Sequence, residues 1–221
     1  MMTGKLALFD CDGTLVDSQA DICAAMEAAY AGIGMAAPDR SDIRRIVGLS
    51  VPEAVRALAS DLPPDMKAQL AEGYRNAYME MRQRGELQEP LYEGMADLLA
   101  ALHDGGWQLG VATGKSDRGL VKCLEHHGLK DMFVTLQTAD RHPSKPHPSM
   151  ARQAMADAQV TAARTVMIGD TSFDMAMAQA AGCGAIGVAW GYHEADELMA
   201  SGAQIVVDTM AELRTALENA V

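Results

Sequence analysis

The sequence predicts an α/β fold: a parallel sheet covered by helices on both faces, with a small all-helical segment inserted after the first strand. Three observations carry this reading. Short apolar runs alternate with stretches of helical periodicity, the pattern of strands joined through helices. Several of those runs stop abruptly in polar turns. Residues 17–88 contain no convincing strand at all.

The first apolar run, residues 6–9 (LALF), ends in Asp10-Cys11-Asp12-Gly13 and reads as a buried strand followed by a turn. Residues 107–112 (WQLGVA) run into Thr113-Gly114-Lys115, and residues 165–168 (TVMI) into Gly169-Asp170-Thr171. Residues 132–136, 185–189 and 205–207 supply three further strands. Helices are predicted over 117–127, stopped by Gly128, over 148–158, over 174–181, stopped by Gly182, and over 210–220. Within the strandless stretch, residues 21–31, 41–47, 52–59 and 65–84 read as helices, punctuated by Gly32, Gly34, Pro38, Gly48, Pro63 and Pro64. The predicted division is a core of residues 1–15 and 89–221 and a helical insertion of residues 16–88. The other reading of these helices is that they simply cover the sheet.

Composition narrows the function. With 49% apolar and 22% charged residues over 221 positions, the chain fits an ordinary globular protein of one large domain or one domain carrying a smaller insertion. A formal net charge of −12 argues against general nucleic-acid binding and against docking on an anionic membrane. No apolar run approaches the roughly 20 residues that span a bilayer, and the N-terminal run is too short for a signal-peptide core. Cys11, Cys23, Cys123 and Cys183 form no CxxC pair, so a zinc site has no support and a reducing compartment fits. A cytoplasmic protein, monomer or homodimer, is expected.

Asp10 and Asp12 sit two residues apart just beyond a strand. Their charges repel, and a hard divalent cation such as Mg²⁺ resolves the repulsion. Read alone, the pair fits a solvated turn equally well. Asp170 and Asp174 form a second acidic cluster after another strand, and Asp174 is also placed to cap the next helix. The Thr113 hydroxyl and the N–H of Gly114 can hold phosphate oxygens. Lys145 lies in RHPSKPHP (residues 141–148), where prolines stiffen the loop that presents it.

Together these residues occur in the order Asp10/Asp12, Thr113, Lys145, Asp170/Asp174, most of them at predicted strand ends. In that combination the sequence resembles the haloacid dehalogenase-like hydrolase superfamily. The resemblance rests on DCDGTLVDS (residues 10–18), ATGKS (112–116), SKPHP (144–148) and MIGDTSFDMAMAQAAG (167–182), and it extends through the core. It implies a Rossmann-like core with a helical cap and an Mg²⁺-dependent phosphatase. Asp10 would attack phosphorus and become an aspartyl-phosphate. Asp12 would protonate the leaving oxygen and then activate water. Asp10, the backbone carbonyl of Asp12, and Asp170 would bind the metal, with Asp174 supporting them. Thr113, the Gly114 N–H and Lys145 would hold the phosphoryl group.

Asp12 favours phosphoryl transfer over dehalogenation, since the haloalkanoic acid dehalogenases resemble this fold without that aspartate. The pattern most resembles phosphoglycolate phosphatases and implies a small phosphorylated metabolite as substrate. Arg44 or Arg45, with Gly48-Leu49-Ser50, are the cap candidates for contacting the substrate, Arg45 through a substrate carboxylate; a solvated helix charge is the competing reading. Two alternatives stand beside the phosphatase: a sugar-phosphate mutase of the same superfamily, and a non-catalytic binding module, which should have lost one of Asp10, Asp12, Lys145 or Asp170.

Overall fold

A computed structural model describes residues 4–220. Residues 1–3 and 221 of the expected core lie outside the described residues. In chain order the elements are β1 (Lys5–Phe9), α1 (Gln19–Gly32), α2 (Arg40–Arg44), α3 (Val51–Leu58), α4 (Pro64–Gln83), α5 (Met95–Asp104), β2 (Trp107–Thr113), α6 (Asp117–His126), β3 (Phe133–Thr138), α7 (Ser149–Ala158), β4 (Thr165–Gly169), α8 (Ser172–Ala181), β5 (Gly184–Val188), α9 (Ala195–Ala200), β6 (Ile205–Val207) and α10 (Met210–Ala220).

All six strands are parallel and stand in the order β3-β2-β1-β4-β5-β6. β1 is central because both its faces and both its edges are covered. Ala7 and Phe9 pack with Leu109, Val111 and Ile168 toward α5, α6 and α10. Leu6 and Leu8 turn the other way, onto the methionines and alanines of α7 and α8. A strand buried on both faces needs apolar residues at every position, which is why it reads as a continuous run.

The register fixes the site. Phe9 pairs with Val111 on one side and Ile168 on the other. The residues just past these pairs therefore converge at one edge: Asp10 lies between Thr113 at the end of β2 and Asp170 after β4. The sheet order reverses at β1, and ligands of such sheets bind beyond the carboxyl ends of the strands at that reversal.

Helices α1–α4 form their own apolar cluster, with Ile22, Met26, Ile43, Val55 and Leu70 at its centre. The chain leaves the sheet for these helices near Ser18 and returns near Glu89, where Val16 bridges to Leu91. Two helices were not anticipated from the sequence. α5 starts at Gly94, in the left-handed conformation, with no side-chain cap to announce it. α9 has six residues and no capping side chain. Among the described residues, no helix is long and apolar enough to cross a membrane.

Candidate active site

Asp10 and Lys145 meet at the centre of the site. Lys145 Nζ lies 2.9 Å from Asp10 Oδ1 and 2.6 Å from Asp174 Oδ1, and none of the three side chains reaches solvent. The loop that carries Lys145 follows β3, and the side chain is buried rather than at the surface. Burial disfavours the ammonium charge, but Asp10 and Asp174 outweigh it and hold Lys145 above the ordinary lysine value. Asp10 Oδ1 also accepts the Cys11 N–H at 2.6 Å. Its other oxygen, Oδ2, is buried without any hydrogen-bond partner. Burial, partly offset by Lys145 and reinforced by Asp174, pushes the Asp10 carboxyl up to about 7.

Asp170 stands across from it. Its Oδ1 accepts from the Thr14 hydroxyl at 2.7 Å and its Oδ2 from the Tyr192 N–H at 3.0 Å. Burial and the nearby charges of Asp10 and Asp174 push its carboxyl well above the usual range. Ligand oxygens of Asp10, Asp170 and Asp174 all lie within 4.8 Å of one another. Three buried carboxylates with one orphaned oxygen fit a hard divalent cation, whose charge would relieve both the crowding and the unpaired Oδ2.

Asp174 has two duties. Its Oδ2 accepts from the Thr171 N–H and hydroxyl at 3.1 and 2.7 Å, closing a capping box at the start of α8, while Oδ1 holds Lys145. The helix therefore starts at Ser172, two residues before the expected start, with Thr171 as its cap and Asp174 in its first turn. Asp174 thus ties Lys145 to the start of α8 at the edge of the carboxylate group.

The Asp12 side chain is not part of this carboxylate group. Its Oδ1 accepts from the Ser18 hydroxyl and lies 2.8 Å from Lys115 Nζ, so any ligand it offers the cation is its backbone. Gly13 makes the turn possible: its φ is +83°, and a Cβ there would stand 2.1 Å from Asp170 Oδ2. Thr113 is buried, with its hydroxyl accepting the Lys115 N–H at 3.2 Å. Gly114 lies directly beneath residues 48 and 49, where a Cβ would come within 2.5 Å of the Leu49 carbonyl oxygen.

Arg45 lies elsewhere. Its guanidinium is solvent-exposed and paired with Glu197 at 2.7 Å, and its carbonyl accepts from His193 Nε2. α2 ends with this side chain turned toward Glu197 of α9, and not brought together with Asp10 and Lys145. Arg44 instead donates to Gln19 at 3.2 Å. The neighbouring loop does reach the site. A Cβ on Gly48 would lie 3.2 Å from the Thr171 hydroxyl and 3.8 Å from Asp10 Oδ2, and the Ser50 N–H donates to Ser144 Oγ at 2.8 Å.

A cavity of about 530 Å³ opens beside this centre, between α1 and α4 on one side and the start of α6 on the other. Asp12, Gly48 and Gly114 are part of its lining, as are Met26, Tyr74 and Arg118.

With this geometry in hand, the family model for haloacid dehalogenase-like hydrolases matches residues 7–188. The chain is a haloacid dehalogenase-like hydrolase. Among its relatives, a probable phosphatase, IndB, from Dickeya dadantii is 36% identical over 94% of this chain and 91% of its own length. A phosphoglycolate phosphatase from Vibrio parahaemolyticus is 32% identical over 95% of this chain and 94% of its own. A solved structure of a predicted phosphatase from Clostridium acetobutylicum superposes with a TM-score of 0.87 at 26% identity, covering 97% of this chain and 98% of that one.

Within this haloacid dehalogenase-like site, sequence reasoning passed over two residues. Lys115 stood in the quoted ATGKS segment without a role, and Glu89 stood at the predicted boundary without remark. Both are buried beside Asp12.

Proposed function

We propose that this hydrolase is an Mg²⁺-dependent phosphatase of small phosphate monoesters, phosphoglycolate-like in class, that works through an aspartyl-phosphate on Asp10. The observation that carries it is the Asp10 carboxylate: one oxygen fixed by Lys145, the other buried and unpartnered at the end of the central strand. The relatives named as phosphatases support the same reading.

Asp10 needs no general base, because a carboxylate is already the nucleophile. Lys145 neutralises charge on the transferring phosphoryl oxygens while holding Asp10 in place. The Thr113 hydroxyl and the Gly114 N–H orient those oxygens. A bound Mg²⁺, held by Asp10, Asp170 and the carbonyl of Asp12, would neutralise phosphate charge and let a dianion approach three carboxylates. Asp12 gives its proton to the ester oxygen as the P–O bond breaks, and takes a proton from the water that later hydrolyses the aspartyl-phosphate. Helices α1–α4 act as a cap: the loop over Gly48 limits water at Asp10, and the cavity beside it receives the leaving group.

The test is phosphate release from phosphoglycolate, glycerol phosphates, sugar phosphates, nucleoside monophosphates and pyrophosphate, with and without Mg²⁺. Mg²⁺-dependent release that vanishes in Asp10→Asn is expected. Release that survives Asp10→Asn in pure protein would sink the mechanism. Isomerisation of a sugar phosphate in place of release would move the assignment to a mutase.

A further inference from the structure

The two chain crossings between sheet and cap converge on Asp12, and one lysine connects them. Lys115 Nζ lies 2.8 Å from Asp12 Oδ1, 2.7 Å from Glu89 Oε1 and 3.3 Å from the Tyr78 hydroxyl oxygen. Two of its N–H groups donate, to Glu89 and to the Tyr78 hydroxyl, and its charge pairs with Asp12. The same ammonium sits 5.4 Å from the Tyr78 ring centroid, on its face. Burial works against the Lys115 charge, yet Asp12, Tyr78 and Glu89 together keep it well above the ordinary lysine value.

Glu89 is held from both sides. Its Oε1 accepts from Tyr78 at 2.8 Å and its Oε2 from Arg82 at 2.8 Å, both from α4 of the cap. Its N–H donates to Asp21 of α1, and its carbonyl accepts from His127 beyond α6 of the core. Its backbone has a φ of +31°, a conformation a non-glycine residue keeps only when its surroundings impose it. On the outgoing crossing, Ser18 donates to the same Asp12 Oδ1. Both anchors of Asp12 thus fall on one oxygen. Asp12 Oδ2 has no hydrogen bond among the described residues, and Asp12 lines the leaving-group cavity.

We propose that Lys115 is a positioning residue for Asp12. It fixes Oδ1 so that Oδ2 is presented to the ester oxygen, and it takes its own place from Glu89 and Tyr78. The inference rests on the reading of Asp12 as the acid/base group given above. In the first step the Asp12 proton passes to the leaving oxygen as the bond from phosphorus to that oxygen breaks and the bond to Asp10 forms. Lys115 keeps all its protons throughout. A direct substrate contact by Lys115 would draw its ammonium away from the Asp12 carboxylate it pairs with.

The test compares kcat/KM, which covers the steps through aspartyl-phosphate formation, on two substrates. One is the best alkyl phosphate of the panel, whose alkoxide must be protonated as it leaves. The other is p-nitrophenyl phosphate, whose phenolate leaves without a proton. Asp12→Asn should lose about 10²- to 10⁴-fold on the alkyl ester and far less on the aryl ester. Lys115→Met should show the same selective loss, by about tenfold or more, and should add no selectivity on top of Asp12→Asn. Should Lys115→Met fail to fold, Glu89→Gln, which leaves the lysine charged, should reproduce the selective loss. Equal losses on both esters, or a loss confined to KM of the alkyl ester, would overturn the inference while leaving the phosphatase reading intact. An unselective Asp12→Asn would remove the acid/base assignment and this inference with it.

Discussion

Lys145 and Asp10 form an ion pair at 2.9 Å in which neither side chain has any solvent-exposed surface. Two consequences follow from its burial, one for stability and one for the nucleophile.

A lysine in a proline-rich loop would be expected to be dispensable for folding. The pairing reverses that expectation. Lys145→Met leaves Asp10, Asp170 and Asp174 together without a cation, and breaking a buried pair in this way costs about 3–5 kcal/mol. The metal-free variant should melt well below the wild type, and Mg²⁺ should restore part of the difference. Thermal melts with and without Mg²⁺ check this; an unchanged melting temperature would show that the pair carries no structural load.

Asp10→Asn keeps the shape of the side chain and removes the attacking oxygen. Turnover should fall by about three orders of magnitude or more. The metal-free melting temperature should not fall, because one buried charge is gone and Lys145 still has Asp174 at 2.6 Å. Phosphate release and circular dichroism on the same preparation test both halves.

The raised Asp10 carboxyl gives a pH dependence with a definite sign. Its value moves from 3.8 to about 7 on folding, chiefly through burial. Between those values the folded protein holds a proton that the unfolded chain has released, so this contribution is full below about pH 4 and lost as pH rises through 7. The metal-free protein should therefore melt at a lower temperature at about pH 8 than at about pH 6. Mg²⁺ competes with that proton, so its stabilising effect should grow over the same interval. Melts of Asp10→Asn at both pH values provide the control, and its pH dependence should be smaller.

Gly13→Ala combines an unfavourable backbone with a collision. A φ of +83° costs a side-chain-bearing residue about 1–2 kcal/mol, and the added methyl would stand 2.1 Å from Asp170 Oδ2. Asp170 must move, so the main loss should appear in cation binding. We expect the Mg²⁺ concentration for half-maximal activity to rise by about tenfold or more. An unchanged Mg²⁺ requirement would argue that Asp170 is not a ligand.

Arg45→Ala provides the contrasting case. The side chain is 57% exposed and pairs with Glu197 at the surface, where solvent and salt screen an ion pair. Its kcat/KM should stay within roughly twofold of the wild type, since ~0.4 kcal/mol corresponds to that factor. A rise of KM well beyond that would return Arg45 to the substrate site.

Much of this was legible in the chain itself. Asp10 and Asp170 follow a buried strand and Thr113 ends one, and a strand covered on both faces announces itself as an unbroken apolar run with a polar stop. What the sequence did not carry is long-range. Lys115 and Glu89 are 26 residues apart, and all of α1–α5 and β2 lie between Asp12 and Lys115, so no local pattern marks their contact. Helix α5 was missed because Gly94 opens it by conformation and not by a capping side chain. The pairing of Arg45 with Glu197 was hidden for a simpler reason: helical periodicity fixes which residues share a face, but not which neighbour that face meets.

Gly114 under the Leu49 carbonyl has a bearing on any attempt to redirect this hydrolase. Backbone meets backbone there, so on the proposed cap reading residues 48, 49 and 114 would act as a spacer that sets how closely α1–α4 approach the end of β2. Larger side chains at these positions would prop the cleft ajar for every substrate alike. Room to change preference would lie instead at other lining positions, such as Met79 and Arg118, which meet at 3.8 Å on the cavity wall.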